Sequence, residues 1–187
     1  MLPKEECEHA SSVLTETIKA IKSKDSIKLK SLSNQTIHSS CTYQDSGTIT
    51  LAVLVYALSK LIERSDYKKI SLWNKIEKKL ISLFELAILA LNKNNHEAFE
   101  KHIINARKSL EISSNLKPYI EEVLKKSSIN KASKLYEHGI SSGRTAKLLG
   151  LSQWEILEYI GSKPIEKKAK EKITIEKRTE TAMQFFS

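Results

Sequence analysis

The sequence predicts an all-α fold: an N-terminal helical bundle, a small helix-turn-helix module, and a flexible basic tail. Three observations carry this. Apolar residues recur at helical spacing through most of the chain. Glycine and proline number only 5 and 3 in 187 residues, and most fall where a periodic segment ends, as helix punctuation does. No strand-like segment has a second one to pair with. The expected divisions are residues 1–115 for the bundle, 116–162 for a connecting helix and the helix-turn-helix module, and 163–187 for the tail.

The first helix is expected over residues 4–24, with Val13, Thr17, Ala20 and Ile21 inward. Lys22, Lys24, Lys28 and Lys30 form a local basic cluster, read as a solvated face and loop. Residues 26–41 make a second helix with an imperfect stripe of Ile27, Leu29, Leu32 and Ile37. At its end His38, Tyr43, Gln44 and Asp45 crowd a turn before Gly47. Either His38 and Asp45 are an acid–base or ligand pair, or Asp45 or Ser46 caps the next helix and His38 lies at the surface. The cap is favoured, because a lone His beside a lone Asp is thin ground for chemistry.

Residues 49–64 are apolar on nearly every side and are read as the buried central helix of the bundle. Residues 65–71 are a polar connection, and Ser71 caps a helix over 72–91. Ile76, Leu80, Leu83, Leu86, Ala87 and Ala90 line its inner face, with Lys75, Lys78 and Lys79 outside. Asn95 caps a helix over 96–112 striped by Phe99, Ile103, Ala106 and Leu110. His96 and His102 are read as surface residues, since no acidic or cysteine partner lies at ligand spacing. Pro118 suits the first turn of a new helix, which runs straight into the module or bends near Ser127 and Ser128.

Residues 131–162 form the stretch with the most specific pattern. Ala132, Leu135 and Tyr136 share a helical face, and Gly139 offers a left-handed turn position. Ser141 caps a second short helix with Ala146 and Leu149 inward, and Gly150 stops it. Ser152 and Glu155 make a capping box at the start of a third helix. Trp154, Leu157 and Ile160 are expected to be its apolar stripe, and Gly161 and Pro164 end it. Two short helices meeting at Gly150 behind a leading helix are the pattern of a helix-turn-helix.

The segment LYEHGISSGRTAKLLGLSQWEILEYIG resembles the helix-turn-helix of small archaeal and bacterial antitoxins, with Lys147 where their pattern has Glu. The resemblance covers only residues 131–162. It implies a third helix that reads operator DNA and a C-terminal tail that masks a toxin, often a PIN-domain ribonuclease. The DNA contacts then fall to Arg144, Lys147, Gln153 and Lys163: Gln153 at an adenine edge, the cations on phosphates. In the tail, Lys177 or Arg178 would enter an acidic nuclease site and compete with its metal. Phe185 and Phe186 would fill an apolar groove, and Ile173 and Ile175 are further anchors. The outer face of the third helix would hold Gln153, Glu155, Glu158 and Tyr159, none of them basic. A scaffold that oligomerises through the bundle, as a homodimer for instance, and docks protein through the module is therefore the alternative.

A net charge of +9 favours acidic partners, although a lysine-rich composition alone produces the same number. Cys7 and Cys41 are the only cysteines, with no Cys-x-x-Cys and no zinc spacing, so no metal or cofactor is expected and a reducing compartment fits. The N-terminus is charged and lacks an apolar signal core. The longest apolar run, 49–62, is interrupted by Thr50, Ser59 and Lys60 and falls short of the roughly 20 residues of a membrane span. These features predict a soluble, cytoplasmic protein. No P-loop, Gly-x-Ser-x-Gly or paired-carboxylate motif is present, so no enzymatic activity is expected. A HEPN-like ribonuclease is the lesser alternative. It needs an Arg shortly before a His on one helix, and neither His38 nor Arg64 nor Arg107 has such a partner.

Overall fold

The computed structural model describes residues 3–70, 73–112 and 117–162, and among them the chain is helical, with no strand. In order the helices are α1 (Lys4–Ser23), α2 (Ser26–Tyr43), α3 (Ser46–Glu63), α4 (Trp73–Asn92), α5 (His96–Ile112), α6 (Lys117–Glu137), α7 (Ser142–Leu149) and α8 (Gln153–Ser162). A short 3-10 turn, Asp66–Lys69, lies in the connection between α3 and α4.

Local chemistry sets most of the boundaries. Glu5 and Glu6 sit in the first turn of α1, where a carboxylate opposes the positive end of the helix dipole. Asp25 caps α2 by accepting from the Lys28 N–H at 2.8 Å. Asp45, rather than Ser46, caps α3 by accepting from the Thr48 N–H at 2.8 Å, which settles the turn after His38 as a cap. Asn95 caps α5 through the Ala98 N–H at 3.0 Å. Lys24 and Gln44 take left-handed conformations just past the ends of α1 and α2. α6 runs unbroken past Ser127 and Ser128, and the Ser127 hydroxyl donates back to the Val123 carbonyl at 2.7 Å.

α3 is buried on nearly all sides, and two cores meet on it. The larger core takes its Leu51, Leu54, Leu58 and Leu61 together with α1, α4, α5 and the first turns of α6. The smaller takes Ile49, Ala52 and Val53 of α3 and Ile37 of α2, and packs them against Ala132, Leu135, Ile140, Ala146, Leu149 and Ile156. α6 also serves both, through Ile120, Val123 and Leu124 in one and Ala132 and Leu135 in the other. By length and composition α3 alone among the described residues could cross a bilayer, but 72% of it is buried inside the protein. Gly47 lets α3 and α5 approach: a Cβ there would lie 2.8 Å from Phe99 Cε1.

Several expected inward positions face out. Ile27 is exposed because the packed stripe of α2 begins only at Leu29, a half-turn on. Leu86 is exposed because α4 buries Trp73, Ile76, Leu80, Phe84, Ala87 and Leu91, one residue out of phase with it. Tyr136 is half exposed beside the buried Leu135. Conversely, His96 and His102 are half-buried rather than surface residues. The buried ring nitrogens of His96 and the Nδ1 of His102 have no hydrogen-bond partner among the described residues.

Candidate nucleic-acid interface

Three helices build the module, each held by its own sequence. The last turns of α6 end at Gly139, whose φ of +86° is open to glycine and strained for other residues. Ser141 caps α7 by accepting from the Arg144 N–H at 3.3 Å. Gly150 closes α7 at φ +64°, and its N–H bonds the Ala146 carbonyl. Three residues on, α8 opens on a reciprocal capping box. Glu155 Oε2 accepts from the Ser152 N–H at 2.9 Å, and the Glu155 N–H donates to Ser152 Oγ at 3.2 Å. Thr145, Ala146, Leu149 and Ile156 close the space between the helices.

The face of α8 turned to solvent is not the one expected. Trp154 is 81% exposed and Leu157 is 41% exposed, whereas Ile156 is fully buried. Successive helical residues turn by about 100°, so burying Ile156 carries Trp154 to the opposite side. Ile160, the third member of the expected stripe, has no described side-chain environment. The outward surface therefore combines Gln153, Trp154, Leu157 and Glu158. Glu155 is engaged elsewhere: it ion-pairs with Lys125 of α6 while it caps α8. The Lys125 ammonium and then the two bonds from Ser152 hold its carboxyl down at about 2.

The other expected contacts are scattered around this face. Gln153 Nε2 donates to Ser142 Oγ at 2.9 Å, which pins the start of α8 to the start of α7. Arg144 is exposed, and its Nε donates to Gln44 Oε1 at 3.3 Å, at the end of α2. Lys147 is exposed on α7 with no ion pair among the described residues. Lys163 and the tail residues Ile173, Ile175, Lys177, Arg178, Phe185 and Phe186 lie outside the described residues. The structure thus brings Arg144, Lys147 and Gln153 onto one small unit. The Asp45 carboxylate caps α3.

Two features near the module went unread in the sequence. The Nδ1 of His38 and the Nε2 of His138 are 3.2 Å apart at the surface, so the end of α2 meets the end of α6 ring to ring. Deeper in, Lys131 is fully buried. Its ammonium donates to Asn34 Oδ1 at 2.8 Å and lies 4.4 Å from the centroid of the Tyr56 ring. Burial, reinforced by Lys134 and Lys30, pushes its pKa down to about 7. The signal for it was present: Leu124, Ser128, Lys131 and Leu135 repeat at four, three and four residues, a buried stripe whose middle is polar. Among the described residues no cluster of three or more His, Cys, Asp or Glu could hold a metal ion.

No protein-family model, no curated protein and no solved structure matches this chain.

Proposed function

We propose that the chain is a helix-turn-helix DNA-binding protein in which α8 enters the major groove of duplex DNA. The observation that carries this reading is the two-sidedness of α7, Gly150 and α8. Thr145, Ala146, Leu149 and Ile156 are buried, and Gln153, Trp154, Leu157 and Glu158 face away from them. In a helix-turn-helix the outward residues near the start of the second helix reach the bases. Gln153, oriented by Ser142, suits the two polar groups of adenine, and Trp154 and Leu157 suit thymine methyl groups. Arg144 and Lys147 grip the phosphates, and the net charge of +9 steers the approach. Lys125 neutralises Glu155, which leaves Glu158 as the carboxylate of α8 on the outward face.

The test is selection from a random duplex library with the full chain, followed by titration of the winning duplex across salt concentrations. The expected result is an enriched motif whose affinity falls steeply with salt. Arg144→Ala or Lys147→Ala should weaken binding alike on all sequences and reduce the salt slope by about 1 each. Gln153→Ala should relax specificity at one base position, costing about 1–3 kcal/mol on the preferred base. Failure to enrich any motif, with salt-insensitive weak binding, overturns the proposal.

The 81% exposure of Trp154 favours a second reading: α8 docks a protein whose contact surface is apolar and carries a cation to meet Glu158. Such binding would fall sharply on Trp154→Ala and change little with salt. The antitoxin resemblance adds that residues 163–187 bind a toxin, such as a PIN-type ribonuclease. This is tested by recovering partners from nuclease-treated extracts with the full chain and with residues 1–162. A protein lost with the tail supports it, and identical recovery removes it.

A further inference from the structure

Lys131 and the His38–His138 pair join α6 to α2, and both gain positive charge as the pH falls. At the first contact the buried Lys131 ammonium donates to Asn34 Oδ1 at 2.8 Å and lies 4.4 Å from the Tyr56 ring centroid. At the second, His38 Nδ1 is 3.2 Å from Nε2 of His138, a residue just past the end of α6. Asn34 and His38 stand about one turn apart on α2, so both contacts lie on one seam. Beyond them a third cation crosses the same line, where Arg144 Nε donates to Gln44 Oε1 at 3.3 Å.

Nothing beside the seam offsets this charge. Neither Lys131 nor either imidazole meets a carboxylate among the described residues. Lys30 of α2 and Lys134 of α6 act on Lys131 as like charges. Lys60 of α3 lies 5.6 Å from the centroid of the same Tyr56 ring. On α7, Lys147 is exposed, with no ion pair among the described residues. The acids beside these lysines are spent within their own helices: Glu63 on Lys60 at 2.6 Å and Glu137 on Lys134 at 2.9 Å.

Both contacts respond to protons with the same sign. Between neutral rings, the N–H of one imidazole bonds the bare nitrogen of the other. One added proton keeps that bond, whereas a second leaves no acceptor and sets two cations 3.2 Å apart. Imidazole is the side chain that ordinarily changes charge between about pH 5 and 8. At Lys131, burial and then Lys134 and Lys30 hold the pKa down to about 7 while the seam is closed. An open seam returns that amine to water and to ordinary lysine behaviour. The closed form therefore binds fewer protons than the open form, and falling pH favours opening.

We propose that this seam is an acid-sensitive latch, along which α6, α7 and α8 part from α2 and α3 more often as the pH falls. The smaller core holds the same junction by apolar contact, so acid raises the population of an open state rather than stripping the module off. Protonation here biases a packed junction that has two discrete arrangements. The latch does not depend on what α8 recognises: it sets how rigidly α8 is presented to any partner.

Hydrogen exchange of the full chain, followed across low urea concentrations at about pH 5.5 and about pH 8, tests this. The expected result is one opening shared by the amides of Ala132, Leu135, Ala146 and Leu149. Its urea dependence should be smaller than that of the global unfolding seen at Leu54 and Leu58, because less surface is exposed. After correction for intrinsic exchange rates, this opening should be at least about tenfold more populated at the lower pH. Combining Lys131→Met, His38→Asn and His138→Gln removes the titrating groups while keeping polar atoms near the two ring nitrogens. In that variant the difference should shrink to less than about twofold, and protected Leu54 and Leu58 amides show that it is folded. Exchange of the four smaller-core amides only through global unfolding overturns the proposal. So does an opening equally populated at both pH values, or a pH difference that the combined variant retains.

Discussion

An ammonium group enclosed by an amide oxygen and an aromatic ring, with no carboxylate beside it, is costly to keep charged. Lys131 is in that position, and its behaviour with pH follows from the direction of its shift. Its pKa in the folded chain is about 7, against an ordinary lysine value of 10.5 in the unfolded chain. Between those values the unfolded chain holds a proton that the folded chain has released, so this residue makes stability rise with pH. Below about 7 both states are charged and the penalty is complete. Lys131→Met should therefore be more stable than the wild type at pH 6 by on the order of a few kcal/mol, with the advantage shrinking toward pH 10. Urea melts of both proteins at pH 6, 8 and 10 measure it, and an advantage independent of pH would rule this account out. Two glycines separate different costs at the same scale. Gly150→Ala meets no atom within 4 Å and should lose only about 1–2 kcal/mol, the strain of a left-handed residue. Gly47→Ala has an ordinary helical backbone but drives a methyl into Phe99, itself buried, and should lose about 1–3 kcal/mol by overpacking. Thermal melts should show that a smaller Phe99 side chain rescues the second variant and leaves the first unchanged.

At the scale of the element, the sequence was readable wherever one residue type does one job. Asp45, Asn95, Ser141 and the Ser152–Glu155 box are caps because short polar side chains reach their own backbone, whatever the tertiary context. The nearly all-round apolar surface of residues 49–64 identified α3 as central for a similar reason, since a helix apolar on nearly every side must be covered on nearly every side. Choices among neighbouring apolar residues were not readable. In α8, Trp154, Ile156 and Leu157 allow two stripes, and the smaller, β-branched Ile156 is the one that fits beside Ala146 and Leu149. Leu86 was misplaced by one position because α4 is apolar on more of its surface than its neighbours cover. Lys131 was missed because a lysine is rarely buried, and a helix whose buried stripe runs through Ser127, Ser128 and Lys131 shows little apolar contrast.

Across the whole molecule, the bundle explains its own length. A short helix-turn-helix cannot close a core by itself, and here Ile37, Ile49, Ala52 and Val53 supply the wall that α6, α7 and α8 lack. The Arg144–Gln44 bond and the meeting of His38 with His138 latch the same contact at the surface. Residues 117–162 expressed alone should accordingly lose most of their helical circular dichroism and be cut rapidly by proteases. A fragment that melts cooperatively would show instead that the second core is self-sufficient.

Because α3 is enclosed by both cores, no partial opening frees it: detaching α6 to α8 leaves it packed on α1, α2 and α5, and fraying α4 leaves it under the module. Its amide hydrogens near Leu54 and Leu58 should exchange with deuterated solvent only when the whole chain unfolds, and so should report global stability. Those of α8, at the margin of the smaller core, should be replaced first.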